Sequence, residues 1–224
     1  MGEEVKKGVV VEFDFAAMDG AELLYKTTEQ LLTGIEVPFN RRVEAQYLAG
    51  GNYQGGLAEY FAVVKTKKTA AKAAKDLSEA FAAAVAKEIP KALTPAFSAF
   101  VKTLAENNVK VVIATRANVE AVAPMFEGLL SENVVLFQEV SQTYGSIKWD
   151  AWRRACVQNG LKNVAAVAVT GSGFGVKSAL LAGMPSIAVI RDNVAYQDFG
   201  GTDEAVKALD ADAAKIILSI LRIA

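Results

Sequence analysis

The sequence predicts an α/β protein: a three-layered, Rossmann-like core on a parallel sheet, with an inserted all-helical domain. Three observations lead there. Short apolar runs at Val9–Phe13, Val109–Ala114, Val134–Phe137, Val164–Val169 and Ile187–Ile190 are rich in β-branched or aromatic residues and have the length of buried strands. Helical patterns separate the later runs, for example Val119, Val122, Met125, Phe126 and Leu129, and such alternation builds βαβ units. The stretch between the first two runs is far too long for one crossover helix and holds no convincing strand.

Taken in order, the first run leads into the segment from Ala21 to about Lys91, read as several helices. Leu77, Phe81, Val85 and Ile89 recur every fourth residue there, forming one apolar stripe. Glycine pairs at 50–51 and 55–56 permit tight turns. Tyr47, Tyr53, Tyr60 and Phe61 cluster around them, either as the core of the small domain or as an interaction surface. Pro90 and Pro95 mark the return to the main domain. The boundaries are a core over 1–20 and 92–224 and a cap over 21–91. The later runs, such as VAAVAV at 164–169, need not alternate, because parallel strands are covered on both faces.

Composition removes several functions. With 224 residues the chain is one domain, or one domain with an insertion, and buries a core without disulfides or metal. Lys and Arg number 24 against 25 Asp and Glu, so no positive field exists for nucleic acid. The absence of histidine excludes Ser-His-Asp and Cys-His triads and HExxH zinc sites. The single cysteine, Cys156, excludes an internal disulfide and reads as a small buried apolar side chain on a helix. No apolar run reaches the roughly 18 residues of a membrane helix. The beginning of the sequence lacks a signal-peptide core, and Lys6 stands where myristoylation favours Ser or Thr. The expectation is a cytoplasmic protein with no membrane or nucleic-acid partner.

Ligands of open α/β sheets bind beyond the carboxyl ends of the strands. There the sequence places Glu12, Asp14 and Asp19, then Thr115 and Arg116, then Lys148, then the glycine-rich turn Thr170-Gly171-Ser172-Gly173-Phe174-Gly175, and finally Arg191 and Asp192. Glu12 and Asp14 alternate and so leave a strand on one face. Such a pair can divide nucleophile and acid/base work, hold a hard cation, or be two solvated charges. Thr115 offers a hydroxyl or a helix cap, and Lys148 a point charge for phosphate.

In this order the residues resemble the haloacid dehalogenase superfamily, in its branch of phosphatases and phosphomutases with a helical cap. Glu12-Phe13-Asp14 stands at the Asp-x-Asp motif and Asp19 at the following acid. The segment LTPAFSAFVKTLAENNVKVVIATR leads to Thr115 at the hydroxyl position, Lys148 at the lysine, and TGSGFGVKSALLAGMPSIAVI along the fourth motif. The resemblance implies Asp14, Thr115 and Lys148 in acid/base, oxygen-binding and lysine roles, with Glu12 at the nucleophile. It also implies Mg²⁺ with Glu12 and Asp14 as candidate ligands, and a small phosphorylated or anionic metabolite as partner.

Departures cluster at the chemistry. Glu12 replaces the nucleophilic Asp, moving the attacking oxygen by about 1.5 Å. Thr170 and Gly171 stand where the fourth motif has acids, and Trp149 replaces the proline after the lysine. Turnover is therefore expected to be weak or absent, with an active Mg²⁺-dependent phosphatase using Glu12 or Asp14 as the alternative. Thr115, Arg116, Lys148, Gly171, Ser172 and Gly173 remain candidates for metal-free anion binding. Gly171, Gly173 and Gly175 followed by Asp192 also imitate a dinucleotide fingerprint, and a non-catalytic interaction module is a third reading.

Overall fold

The structure is a computed structural model that describes residues 6–49, 51–139 and 145–223; the acidic start of the chain and Gly50 of the first glycine pair lie outside the described residues. Six strands form one parallel sheet in the order β3-β2-β1-β4-β5-β6. They are β1 (Gly8–Glu12), β2 (Lys110–Thr115), β3 (Val134–Gln138), β4 (Ala166–Thr170), β5 (Ser186–Val189) and β6 (Glu204–Val206). The first five fall on the apolar runs. The sixth was not foreseen, because Glu204, Ala205 and Val206 form a short, mostly exposed edge strand with no apolar run to mark it.

Alternate strand residues face opposite layers. Val9, Val11, Val111, Ile113, Val167 and Val169 pack on α6 (Pro95–Glu106) and α10 (Ala211–Ile220). Val10, Val112, Ala114, Ala166 and Ala168 pack instead on Trp152, Ala155 and Cys156 of α8 (Trp149–Gln158) and Ala179 of α9 (Gly173–Leu181). Small residues on that side of β4 leave room for Trp152, which is fully buried with its indole N–H donating to Ser178 Oγ at 2.8 Å. Cys156 is buried in the same layer, and burial pushes its thiol up to about 11, so it is an inert core side chain.

Between β1 and β2 lie the one-turn helix α1 (Phe13–Ala16), then α2 (Gly20–Gly34), α3 (Arg41–Val43) continuing into a π-helical turn (Glu44–Leu48), α4 (Tyr53–Val63) and α5 (Ala70–Ala92). Helix α5, at 23 residues, is about 35 Å long and belongs to two cores. Ala73, Ala74 and Leu77 pack in the cap with Tyr53, Leu57, Tyr60 and Phe61. Phe81, Val85 and Ile89 join the main core, and Phe81 lies 5.8 Å from the ring of Phe15. The stripe expected to serve one small domain thus ties cap and core together.

Three local expectations are corrected. Pro90 lies within α5, which runs on to Ala92, so the chain turns only at Leu93. Gly55 and Gly56 sit in the first turn of α4 rather than in a loop. A Cβ on Gly56 would lie 1.8 Å from the Tyr47 carbonyl oxygen, so the glycine is needed for close approach of two segments. The helix read over 119–129 is one α-turn, α7 (Val119–Val122), followed by a 3₁₀ turn (Ala123–Phe126), because Pro124 cannot supply the N–H that would extend it. Among the described residues, no helix is long and apolar enough to cross a membrane.

Candidate functional site

The sheet order reverses between β1 and β4, since β2 and β3 lie to one side of β1 and β4, β5 and β6 to the other. A crevice opens at the carboxyl end of such a switch point, and it receives Glu12 from β1 and Thr170 from β4. The strand ends at Glu12, so Asp14 does not alternate with it along a strand. It lies instead inside the turn of α1, which aims it towards β2. Neither carboxylate reaches solvent, with Glu12 4% and Asp14 2% exposed.

Each acid is held by its own set of donors. Glu12 Oε1 accepts from the Ser146 hydroxyl at 2.6 Å and the Ile147 backbone N–H at 2.7 Å, and Oε2 accepts from the Thr170 hydroxyl. Asp14 accepts from the Thr115 hydroxyl at 2.7 Å and the Arg116 backbone N–H at 2.8 Å, one on each oxygen. Burial pushes Glu12 up to about 7 and Asp14 up to about 6; the donors around each oppose this, as does the Arg116 charge, while Glu139 adds to it at Asp14. Desolvation of the charged form outweighs the hydrogen bonds.

The remaining expected anion-binding groups also have internal partners. The Arg116 guanidinium donates to the Ser146 carbonyl at 3.2 Å. Ser172 caps α9, accepting from Gly175 N–H at 2.9 Å, and its own N–H points to Thr170 Oγ1 at 3.3 Å. The Gly173 N–H donates to the Gln197 side chain at 2.8 Å. Gly171 is the point where β4's turn meets α1, and a Cβ there would lie 1.9 Å from the Phe15 carbonyl oxygen. Arg191 clamps the same turn, donating to the carbonyls of Phe15 at 2.7 Å and Ala16 at 2.9 Å. Lys148 flanks the start of α8, as Trp149, 40% exposed, begins it. Asp19 stands apart as the N-cap of α2, accepting from Glu22 N–H and the Asn193 amide.

Ser146 and Thr170 are therefore the side chains that meet Glu12, and sequence reasoning did not single out either as a partner. A lone hydroxyl in a loop, as at Ser146, or at the last residue of a strand, as at Thr170, carries no spacing signal. The cap closes over them. The Gly145 N–H donates to the Gly51 carbonyl at 2.7 Å, Gly51 holds a positive φ of 78°, and Tyr53 packs against Gly145 fully buried. Its hydroxyl has no partner among the described residues. Nor does any group of three or more acidic, thiol or imidazole side chains converge among the described residues as a metal cage.

This architecture, a switch-point crevice on a parallel sheet roofed by a helical insertion after the first strand, is that of the capped haloacid dehalogenase-like fold. Among solved structures, the chain is similar to the β-phosphoglucomutase of Clostridium difficile at a TM-score of 0.69 and 10% identity, covering 97% of this chain and 98% of that one. It is similar to CbbY of Rhodobacter sphaeroides in complex with phosphate, at 0.65 and 15%, covering 93% and 96%; another structure of that protein holds xylulose-(1,5)bisphosphate. A phosphonoacetaldehyde hydrolase-like protein of Oleispira antarctica matches at 0.67 and 13%, covering 99% and 96%. No protein-family model matches the sequence, and no curated protein does.

Proposed function

We propose that the protein uses a capped haloacid dehalogenase-like scaffold without phosphoryl transfer, as a binding module in which the phosphoryl-transfer crevice has become a closed polar core. The observation that carries this reading is the set of donors on Glu12. A nucleophile must present an oxygen to the substrate at near-contact distance, whereas Glu12 is buried, with Oε1 accepting two hydrogen bonds from the protein and Oε2 turned to the Thr170 hydroxyl. Asp14 is held in the same way.

The residues present do not fit Mg²⁺. A hard cation needs several oxygen lone pairs directed at one point. Here three protein donors engage Glu12 and two engage Asp14, Thr170 and Gly171 supply no acid, and burial raises both carboxyl groups. A phosphorylated metabolite, such as CbbY holds, would meet few open donors, because the N–H groups of Ser172, Gly173 and Gly175 and the Thr115 hydroxyl are used internally.

The test is thermal unfolding in Mg²⁺, in fluoroberyllate, and in both. Binding to the native state adds stability by mass action, and no synergistic shift is expected. A large joint shift, or Mg²⁺-dependent phosphate release abolished by Glu12→Gln, would restore the reading of an active phosphatase using Glu12 or Asp14.

A further inference from the structure

Two connected cavities lead from the surface to the polar core. An outer vestibule of 320 Å³ lies between the cap turn at Ala45 and Ala49 and the start of α9. An inner chamber of 40 Å³ continues from it, and Ala49, Phe174, Tyr196 and Gln197 border both. The vestibule is of ligand size. The chamber holds about three water-sized groups, at roughly 10–15 Å³ each.

The chamber ends on Ser146 and Ser172, and their hydrogen bonding decides what it can bind. Ser146 Oγ donates its only proton to Glu12, so the 2.7 Å contact between the two serine hydroxyls has Ser172 as donor. Ser172 in turn accepts from Gly175 N–H. Each hydroxyl has one proton and two lone pairs, so both protons are used and one lone pair on each oxygen remains. Where it meets the two serines the chamber wall is therefore an acceptor wall, while Tyr196 and Gln197, at the border with the vestibule, carry side-chain donors. Among the described residues its one charged lining residue is Glu44, whose carboxylate accepts from Arg41 at 2.9 Å, and no described lysine or arginine lines it. In the vestibule Lys177 is paired with Asp198 at 3.0 Å. Burying a phosphate here would cost its solvation with no cation in return. The rest of the chamber wall is mostly apolar, including Phe15, Leu24 and Leu48.

We infer that this channel binds a small molecule with an apolar body and one hydrogen-bond-donating head, a primary alcohol or amine, the head in the chamber against the remaining lone pairs of Ser146 and Ser172 and the body between Phe174 and Tyr196. The inference rests on the closed-core reading of Glu12, because a Glu12 released from Ser146 would return a donor to the wall.

Saturation-transfer NMR titrations with benzyl alcohol and benzylamine, beside benzyl phosphate and inorganic phosphate, test it on the full chain. The alcohol and amine are expected to bind, and the two phosphates to bind at least tenfold more weakly. Ala49→Phe, which fills the throat without touching Glu12 or its partners, is expected to weaken the alcohol at least tenfold. Tyr196→Ala, at a wall residue 57% exposed and so harmless to folding, is expected to weaken it about threefold. Failure of both the alcohol and the amine to bind overturns the channel assignment and leaves the closed core standing, as does unchanged affinity in both variants. Benzyl phosphate binding as tightly as the alcohol overturns the acceptor-wall argument, and Mg²⁺-dependent tightening of that binding overturns the closed core with it.

Discussion

Replacing Gly171 by aspartate, which would return an acid to the fourth motif, is expected to destabilise the protein by more than about 3 kcal/mol and to create no Mg²⁺ site. The cause is the backbone. A Cβ at this position would lie 1.9 Å from the Phe15 carbonyl oxygen and 2.6 Å from its carbon, and that carbonyl is held by a hydrogen bond from Arg191. Neither neighbour is a flexible side-chain end, so β4's turn or α1 must shift, and overpacking against fixed atoms costs about 1–3 kcal/mol or more. The buried new charge adds to this. For a chain of this length the melting temperature should fall by about 10 °C, at roughly 2–4 °C per kcal/mol. Gly171→Ala separates the two causes, since it adds the Cβ without the charge and should account for most of the loss. A near-neutral Gly171→Ala, or a melting temperature of Gly171→Asp restored by Mg²⁺, would show that the turn yields and that a metal can be held there.

Glu12→Gln is expected to remove about half of the pH dependence of stability that the two buried acids create, and to leave the protein more stable than wild type above neutral pH. Burial raises Glu12 from 4.5 to about 7 and Asp14 from 3.8 to about 6. Between the unfolded and folded values the native state binds more protons than the unfolded chain, so stability falls as pH rises. The contribution is fully present below about pH 4 and is lost as pH climbs through 6 for Asp14 and 7 for Glu12. For Glu12 the shift corresponds to about 3 kcal/mol. A glutamine keeps the carbonyl acceptor for Ser146 and Ile147 and offers its amide to Thr170 Oγ1, with no charge to desolvate. Denaturant unfolding at pH 5 and pH 8.5 checks this. Wild type should lose stability between them, and Glu12→Gln should lose little more than the part due to Asp14. A variant less stable than wild type at pH 8.5 would mean that the ionised carboxylate is the favoured native form, as an attacking nucleophile requires.

Much of the scaffold was legible because its signals are local. Runs such as Val109–Ala114 can only be buried strands, and the all-helical stretch from Ala21 onward could not be a simple crossover. Pro95, read as marking the return to the main domain, stands in the first turn of α6, which Thr94 caps by accepting from Phe97 N–H at 3.1 Å. The gathering of Glu12, Asp14, Thr115 and Arg116 at one crevice was also readable, since residues just beyond parallel strands converge wherever the sheet order reverses. Less visible was β6, whose three residues bury too little to leave a pattern.

The state of the acids was a different matter. From the sequence, Glu12 and Asp14 could be catalysts, metal ligands or solvated charges, because chain position says nothing about solvent or partners. Their burial depends on Tyr53 and Gly51 of the cap meeting Gly145, and their donors come from residues more than a hundred positions away, Thr115, Ser146 and Thr170. Lys148, expected as a point charge for phosphate, flanks the start of α8, and a serine two residues earlier supplies a hydroxyl to Glu12. By itself the sequence determined the sheet, the insertion and which strand ends meet, since burial of apolar surface follows local periodicity. Only the tertiary structure decided how the acids are satisfied, because hydrogen bonding and desolvation act between groups that the fold alone brings within 3 Å.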